Sequence, residues 1–274
     1  MERVDGLIES GTPRNGEPIW LDHLSDEGFW IAKGLIPTRL LAEIAENCDD
    51  YYRRDHQRFG VDFLTELNEI EHLRNAPEYD YIFVRLLMES VKLDEMMVEA
   101  LHRNVIIHNY NLIRLMPGSR SKMLGHEWHR DVFFFGPQIR TAVNVLIPLQ
   151  DTTCKNGATE ILLGTHKHKD LPDNKLLPSL IIQPELSVGD ALILDASTFH
   201  KAGDNSTSTP RTIISLKYTL SFFTQQYDFC RCLPVEEYPG SVRDRLGYQV
   251  RVPENLEQFR VPRELRRYKW SIRE

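Results

Sequence analysis

Cysteine is scarce in this chain. Cys48, Cys154, Cys230 and Cys232 are all it has in 274 residues, and Cys230 and Cys232 form C-x-C rather than a C-x-x-C redox pair. Such spacing does not suit a disulfide framework, so four reduced thiols with packing roles are expected. Long apolar runs are also missing. No uncharged stretch approaches the ~20 residues that cross a bilayer, and the opening MERVDGLIESGTPRNGEPIW lacks the apolar centre of a secretory signal. The expectation is a cytoplasmic protein without a membrane partner. Basic charge is in deficit, with 33 Lys and Arg against 40 Asp and Glu, for a net charge of −7. Neutralising many phosphates takes clustered cations, so nucleic acid is not an expected partner and a small-molecule substrate is. Repeats, low-complexity tracts and long linkers are absent too, which favours a single domain over residues 1–274.

What is present falls into two textures. SDEGFWIAKGLIPTRLLAEIAENCDDYY places Ser25 and two acids where a helix N-cap would stand, followed by a short apolar run. Pro37 then opens a helix with Leu40, Leu41, Ile44 and Ala45 on one face. Residues 60–103 continue in helical pattern without strong punctuation, so helical elements are expected mainly over 25–103. From Asn104 the pattern changes to short β-branched and aromatic runs bounded by Gly, Pro, Asn and Asp: VIIHNYNLIRL, EWHRDVFFF, TAVNVLIPL, ATEILL, SLIIQP, DALILD and RTIISLKYTLSFF. Runs of this length and spacing after a helical start predict a β-sandwich or jelly roll over about 104–224, flanked by helices. Residues from about 225 to 274 form a carboxy-terminal extension, whose Arg-rich tail reads as a solvated, partly helical surface.

The chemistry is concentrated in the strands. In EWHRDVFFF, His129 and Asp131 are two apart, so on a strand both side chains leave one face. His200 follows the run DALILDASTF. Two imidazoles and one carboxylate leave about three positions of an octahedral ion open, the facial arrangement that suits Fe(II) oxygen chemistry. H-x-D alone is also met as a plain hydrogen-bonded pair. Arg211, at the start of RTIISLKYT, adds a guanidinium whose planar fork suits the far carboxylate of 2-oxoglutarate; by itself it would read as a surface strand charge.

Taken in order, these motifs resemble the phytanoyl-CoA dioxygenase superfamily of Fe(II)/2-oxoglutarate oxygenases over most of the chain. SDEGFWIAKGLIPTRLLAEI is similar to that family's opening helix, strand and helix, and WHRD carries its H-x-D. PLQDTTCKNGATEILLGTHKHKD resembles its G-T-H turn, and LSVGDALILDASTFHKAGDNSTSTPRTIISLKYT its closing histidine and arginine block. The resemblance implies a mostly β, cupin-like double-stranded β-helix with flanking helices, and an Fe(II)- and 2-oxoglutarate-dependent dioxygenase. Such an enzyme uses O2 to oxidise a small metabolite or natural-product intermediate, releasing succinate and CO2. It also implies His129, Asp131 and His200 as metal ligands and Arg211 as the cosubstrate clamp. Relatives that halogenate replace the carboxylate with a small residue, so Asp131 points to hydroxylation or a related oxidation.

Two departures stand out. Ala202 occupies a position where some relatives carry a hydroxyl, and Leu146 one where many carry Trp. Asn144, two before Leu146 and on the same face, is inferred to contact cosubstrate or substrate, with a backbone-satisfied buried amide as the alternative. Lys122 is a weaker candidate. HEWH fails as a zincin motif because His126 and His129 are three apart. His166 is expected to pack in a turn after Gly164, His168 to face solvent, and residues 133–135 to be mostly core. Two other readings remain open at this point: a β-helix that binds without turnover, and a zinc or manganese hydrolase or isomerase in which Arg211 would be idle.

Overall fold

A computed structural model describes residues 18–102, 104–118, 125–136, 139–233, 238–260 and 262. Helix α1 (Ile19–Glu27) ends at Gly28, whose φ of 86° is the left-handed conformation favouring glycine. Gly28 is fixed there by space as well, since a Cβ would stand 2.5 Å from the Thr198 Oγ1. Ser25 therefore lies near the end of α1 instead of capping a start, because the periodic stretch begins earlier than its acids suggested. Strand β1 (Phe29–Ala32) follows, and α2 (Thr38–Phe59) begins just after Pro37 as expected. Leu40, Leu41, Ile44, Cys48, Tyr51 and Tyr52 make its buried face.

Residues 60–103 do not form a continuous helical stretch. They split into α3 (Val61–Glu66), β2 (His72–Leu73), a 3-10 turn (Ala76–Glu78), α4 (Ile82–Glu89) and α5 (Val91–Leu101). Asn68 and Asn75 break the pattern by adopting φ of 57° and 51°, a conformation that asparagine tolerates better than most residues.

The strands form two antiparallel sheets. The larger has the order β1, β7 (Ala191–Asp195), β4 (Ala142–Pro148), β9 (Arg211–Leu220), β3 (Val105–Leu115), β2. The smaller has β6 (Ile181–Ile182), β5 (Glu160–Leu162) and β8 (His200–Lys201), with α6 (Leu177–Leu180) leading into β6. Ile161 of the smaller sheet packs with Phe29, Ile31, Leu146, Leu192, Leu194 and Ile213 of the larger one, so the sheets face each other. This is the expected double-stranded β-helix, with no closure into a barrel among the described residues.

Alternation of side chains gives the larger sheet two different faces. Its outer face carries Tyr110, Leu112, Val143, Val145, Ile193, Leu216 and Tyr218, which join the buried faces of α2, α4 and α5 in the main core. Each such aliphatic side chain contributes about 1.5–3 kcal/mol on burial. The carboxy-terminal helices α7 (Phe229–Cys232) and α8 (Gly240–Arg245) add Phe229 and Val242 to this core. By contrast α9 (Leu256–Phe259) buries nothing, as the polar tail suggested.

Candidate metal centre

The inner face of the larger sheet is apolar along β1 and β7 but turns polar across β4, β9 and β3. Register sets Asn144 of β4 beside Lys217 of β9 and Lys217 beside Asn109 of β3; one step along the same face, Leu146, Ser215 and Asn111 are aligned. Asp131 is brought over this face by a segment that pairs only briefly. His129 and His200 exchange both backbone hydrogen bonds, at 3.1 and 2.9 Å, and the Asp131 amide donates to the Ala196 carbonyl at 2.9 Å. The expected strand at EWHRDVFFF is thus reduced to a single bridge at the edge of the smaller sheet. That bridge suffices to place the H-x-D beside the distal histidine.

One ligand atom from each of His129, Asp131 and His200 lies within 4.8 Å of the other two. The histidine Nδ1 atoms lie 2.8 Å from the Glu127 carbonyl and 3.0 Å from the Thr198 carbonyl. A carbonyl only accepts, so each Nδ1 must carry the proton and each Nε2 keeps a lone pair for a metal. Thr198 is itself fixed, because its hydroxyl donates to the Gly28 carbonyl at 3.0 Å. Asp131 Oδ2 accepts from Asn144 Nδ2 at 2.7 Å and lies 3.2 Å from Lys217 Nζ. Its other oxygen stands 3.6 Å from His129 Nε2. Burial pushes the Asp131 carboxyl up, but Lys217 followed by the two imidazoles outweighs it and holds the group down at about 2. Burial lowers His200 and so favours its neutral, metal-binding form.

Arg211 also points to a ligand. It is 3 % exposed, its Nε has no hydrogen-bond partner, and no carboxylate among the described residues pairs with it. Burial pushes even this guanidinium down to about 10. A buried cation left unpaired is costly unless an anion completes it.

Other sequence expectations fared variously. Asn144 is buried and bonded to Asp131, with its Oδ1 left unpartnered. Lys217, at even spacing from Arg211 and so on the same face, joins the site without a motif of its own to mark it. Residues 133–135 are not core: Phe133 is 87 % and Phe135 51 % exposed, because the chain leaves the sheet directly after Asp131. His166 does pack in a turn, 3.0 Å from the Ser25 carbonyl, and His168 is exposed. Ala202 offers no hydroxyl, only an amide that donates to Gly125. Lys122 lies outside the described residues.

The phytanoyl-CoA dioxygenase (PhyH) family model matches residues 25–213. The chain belongs to this family. It is 26 % identical over 254 residues to an uncharacterized protein of Mycobacterium tuberculosis, covering 90 % of this chain and 93 % of that one. It is 22 % identical to the iron/alpha-ketoglutarate-dependent dioxygenase penM of Penicillium thymicola, over 77 % of this chain and 70 % of the relative. Among solved structures, apo ThoJ, a non-heme monooxygenase, superposes with a TM-score of 0.60 at 18 % identity, covering 76 % of this chain and 80 % of ThoJ. AviO1 from Streptomyces viridochromogenes Tue57 gives 0.58 at 21 %, covering 76 % of this chain and 96 % of AviO1. As a member of the family the chain is an oxidoreductase, a non-haem dioxygenase that depends on Fe(II), 2-oxoglutarate and O2. No described helix is long and apolar enough to cross a membrane.

Proposed function

We propose that His129, Asp131 and His200 hold the iron, that Arg211 clamps the far carboxylate of 2-oxoglutarate, and that the enzyme hydroxylates a small metabolite or natural-product intermediate. The observation that carries this reading is the pairing of a preformed His-Asp-His cluster with a buried guanidinium that lacks an anion. Both imidazoles are oriented by backbone carbonyls to present Nε2. Asn144 and Lys217 occupy one oxygen of Asp131, leaving the other for the ion, so the protein fills three positions and keeps the rest open. When bound, iron with 2-oxoglutarate supplies the oxidising power: one O2 is consumed, one oxygen atom enters the substrate, and the other leaves in succinate as CO2 is released. The chain's own part is to position, to shield and to neutralise charge. A hydrolase built on zinc or manganese would need the cluster but would leave Arg211 without a task.

The deciding assay is succinate release that requires both Fe(II) and 2-oxoglutarate. It should be lost in His129→Ala, Asp131→Ala and His200→Ala, with circular dichroism unchanged. Wild-type activity in any one of the three would remove that residue from the centre.

A further inference from the structure

A hollow of about 330 Å3 lies beside β2, bordered by the end of α2, α3 and α7. That lies at the lower end of the range for sites taking drug-sized molecules, about 300–1,000 Å3. One wall is built from Phe59, Phe63, Leu64 and Leu67. Phe63 and Leu67 are each about half exposed, at 51 % and 46 %, although they are large and apolar. Such side chains grouped around a hollow mark a binding surface more often than a structural one.

Each charged side chain of the lining has a partner. Arg58 lies 2.9 Å from Glu78, Arg74 pairs with Glu69, Tyr79 donates to Asp55, and Asp228 pairs with Arg231 at 3.2 Å. The four acids of the lining outnumber its two arginines, so an anionic ligand would meet no free cation there.

His72, in the lining, stands on the edge strand β2 next to the metal side of the sheet. His72 is paired in register with Ile113, which packs in the core between the sheets. Tyr227 and the Asn75 amide both donate to Asn111 Oδ1, at 2.9 and 3.3 Å. Asn111 in turn stands opposite Ser215, two residues from Lys217 on the same face. The Nε2 of His72 is buried without a hydrogen-bond partner. Burial first, and then Arg74, pushes this imidazole down to about 3 while Asp131 acts in the opposite direction, so it is neutral at working pH.

We propose that this hollow is the substrate chamber of the iron centre, and that it takes an uncharged, mainly apolar molecule whose hydroxyl or carbonyl is held by His72. The proposal rests on the metal-centre reading above. It is tested with full-length protein carrying Mn(II) and 2-oxoglutarate, and with Nile red, an uncharged apolar dye, as the probe. One dye should bind per chain, at least tenfold more weakly in Leu67→Asp and in Phe63→Asp. Both positions are exposed enough to accept the change without loss of fold. Phe222→Asp, on a separate exposed aromatic patch, should leave binding unchanged. The anionic dye 1-anilinonaphthalene-8-sulfonate should bind at least tenfold more weakly than Nile red. Mn(II) should speed the relaxation of the dye's protons, and Zn(II) should not.

Binding that is lost in Phe222→Asp but kept in Leu67→Asp and Phe63→Asp would overturn the proposal. So would equal affinity for the anionic dye, or relaxation indifferent to Mn(II) in a protein shown to hold it. Failure of the wild type to bind Mn(II), read from the ion's own electron paramagnetic resonance, would instead count against the metal-centre reading. The dye titration would still decide the hollow.

Discussion

Leu216 and Lys217 are neighbours on β9, yet they belong to different halves of the molecule. Leu216 faces outward into a core of helices, paired in register with Val145 and 1 % exposed. Lys217 faces inward, opposite Asn144 and against Asp131. The outer face is mostly apolar, and polar groups there find partners in the helical layer, as where Tyr110 donates to the Phe83 carbonyl and Arg114 pairs with Asp49 of α2. The inner face instead keeps buried polar groups in reserve: Arg211 Nε, Asn144 Oδ1 and Thr219 Oγ1 have no partner. Unsatisfied buried groups cost about 1–3 kcal/mol each, so a surface that retains several is built to meet something else. One sheet thus separates stability from chemistry by the two-residue period of its strands.

The largest expected effect tests the outer half. Leu216→Ala should cost about 2–5 kcal/mol of stability by leaving a cavity, read from the urea midpoint, while metal affinity measured below the transition stays within twofold. A large loss of metal affinity with little loss of stability would break the division between faces. On the inner half, Asn144→Ala removes the amide that fixes Asp131 Oδ2. Supports of this kind typically contribute 10–100-fold to metal binding, so Mn(II) affinity by calorimetry should fall by that order and the urea midpoint should move less than in Leu216→Ala. Smaller again, Arg211→Lys should raise the KM for 2-oxoglutarate about tenfold with Mn(II) affinity unchanged, because a point charge replaces a two-pronged fork. An unchanged KM would take Arg211 out of the site.

How much of this was legible in the sequence depended on whether a signal was local. The H-x-D, the distal histidine and Arg211 each sit in or beside a short strand whose period fixes the facing, and the structure brings the three candidate ligands together. Lys217 was legible by the same rule, being an even number of residues from Arg211, but a lysine in an alternating run reads first as solvent-facing. His72 was harder to find. It lies in a stretch whose apolar spacing mimics a helix, and the breaks come from Asn68 and Asn75 in left-handed conformations that composition alone does not mark. The exposed phenylalanines after Asp131 mislead for the converse reason. An aromatic run suggests core until a chain that departs from its sheet leaves it outside.

The most localised effect, confined to one proton, concerns that same His72. In the folded chain burial holds it down at about 3, against an ordinary value of 6.5 in an unfolded one. Below pH 6.5 the unfolded chain therefore takes up a proton that the folded chain refuses. Stability contributed by the neutral imidazole is complete above that pH and declines as pH falls from about 6.5 towards 3. His108, His126, His166 and His200 are lowered as well, each with burial as the largest cause, so the whole metal-free protein should lose stability in mild acid. The share of His72 is bounded by one proton, about 1.4 kcal/mol per pH unit. Replacing it by Asn should flatten the dependence of the urea midpoint on pH between 6.5 and 4.5 by up to that slope. It should also leave the Mn(II) affinity at pH 7 unchanged, because the imidazole is neutral there and is not one of the three clustered residues. A slope identical in wild type and His72→Asn would mean that this histidine is hydrated in the folded protein, and would weaken its assignment as the polar contact in the hollow.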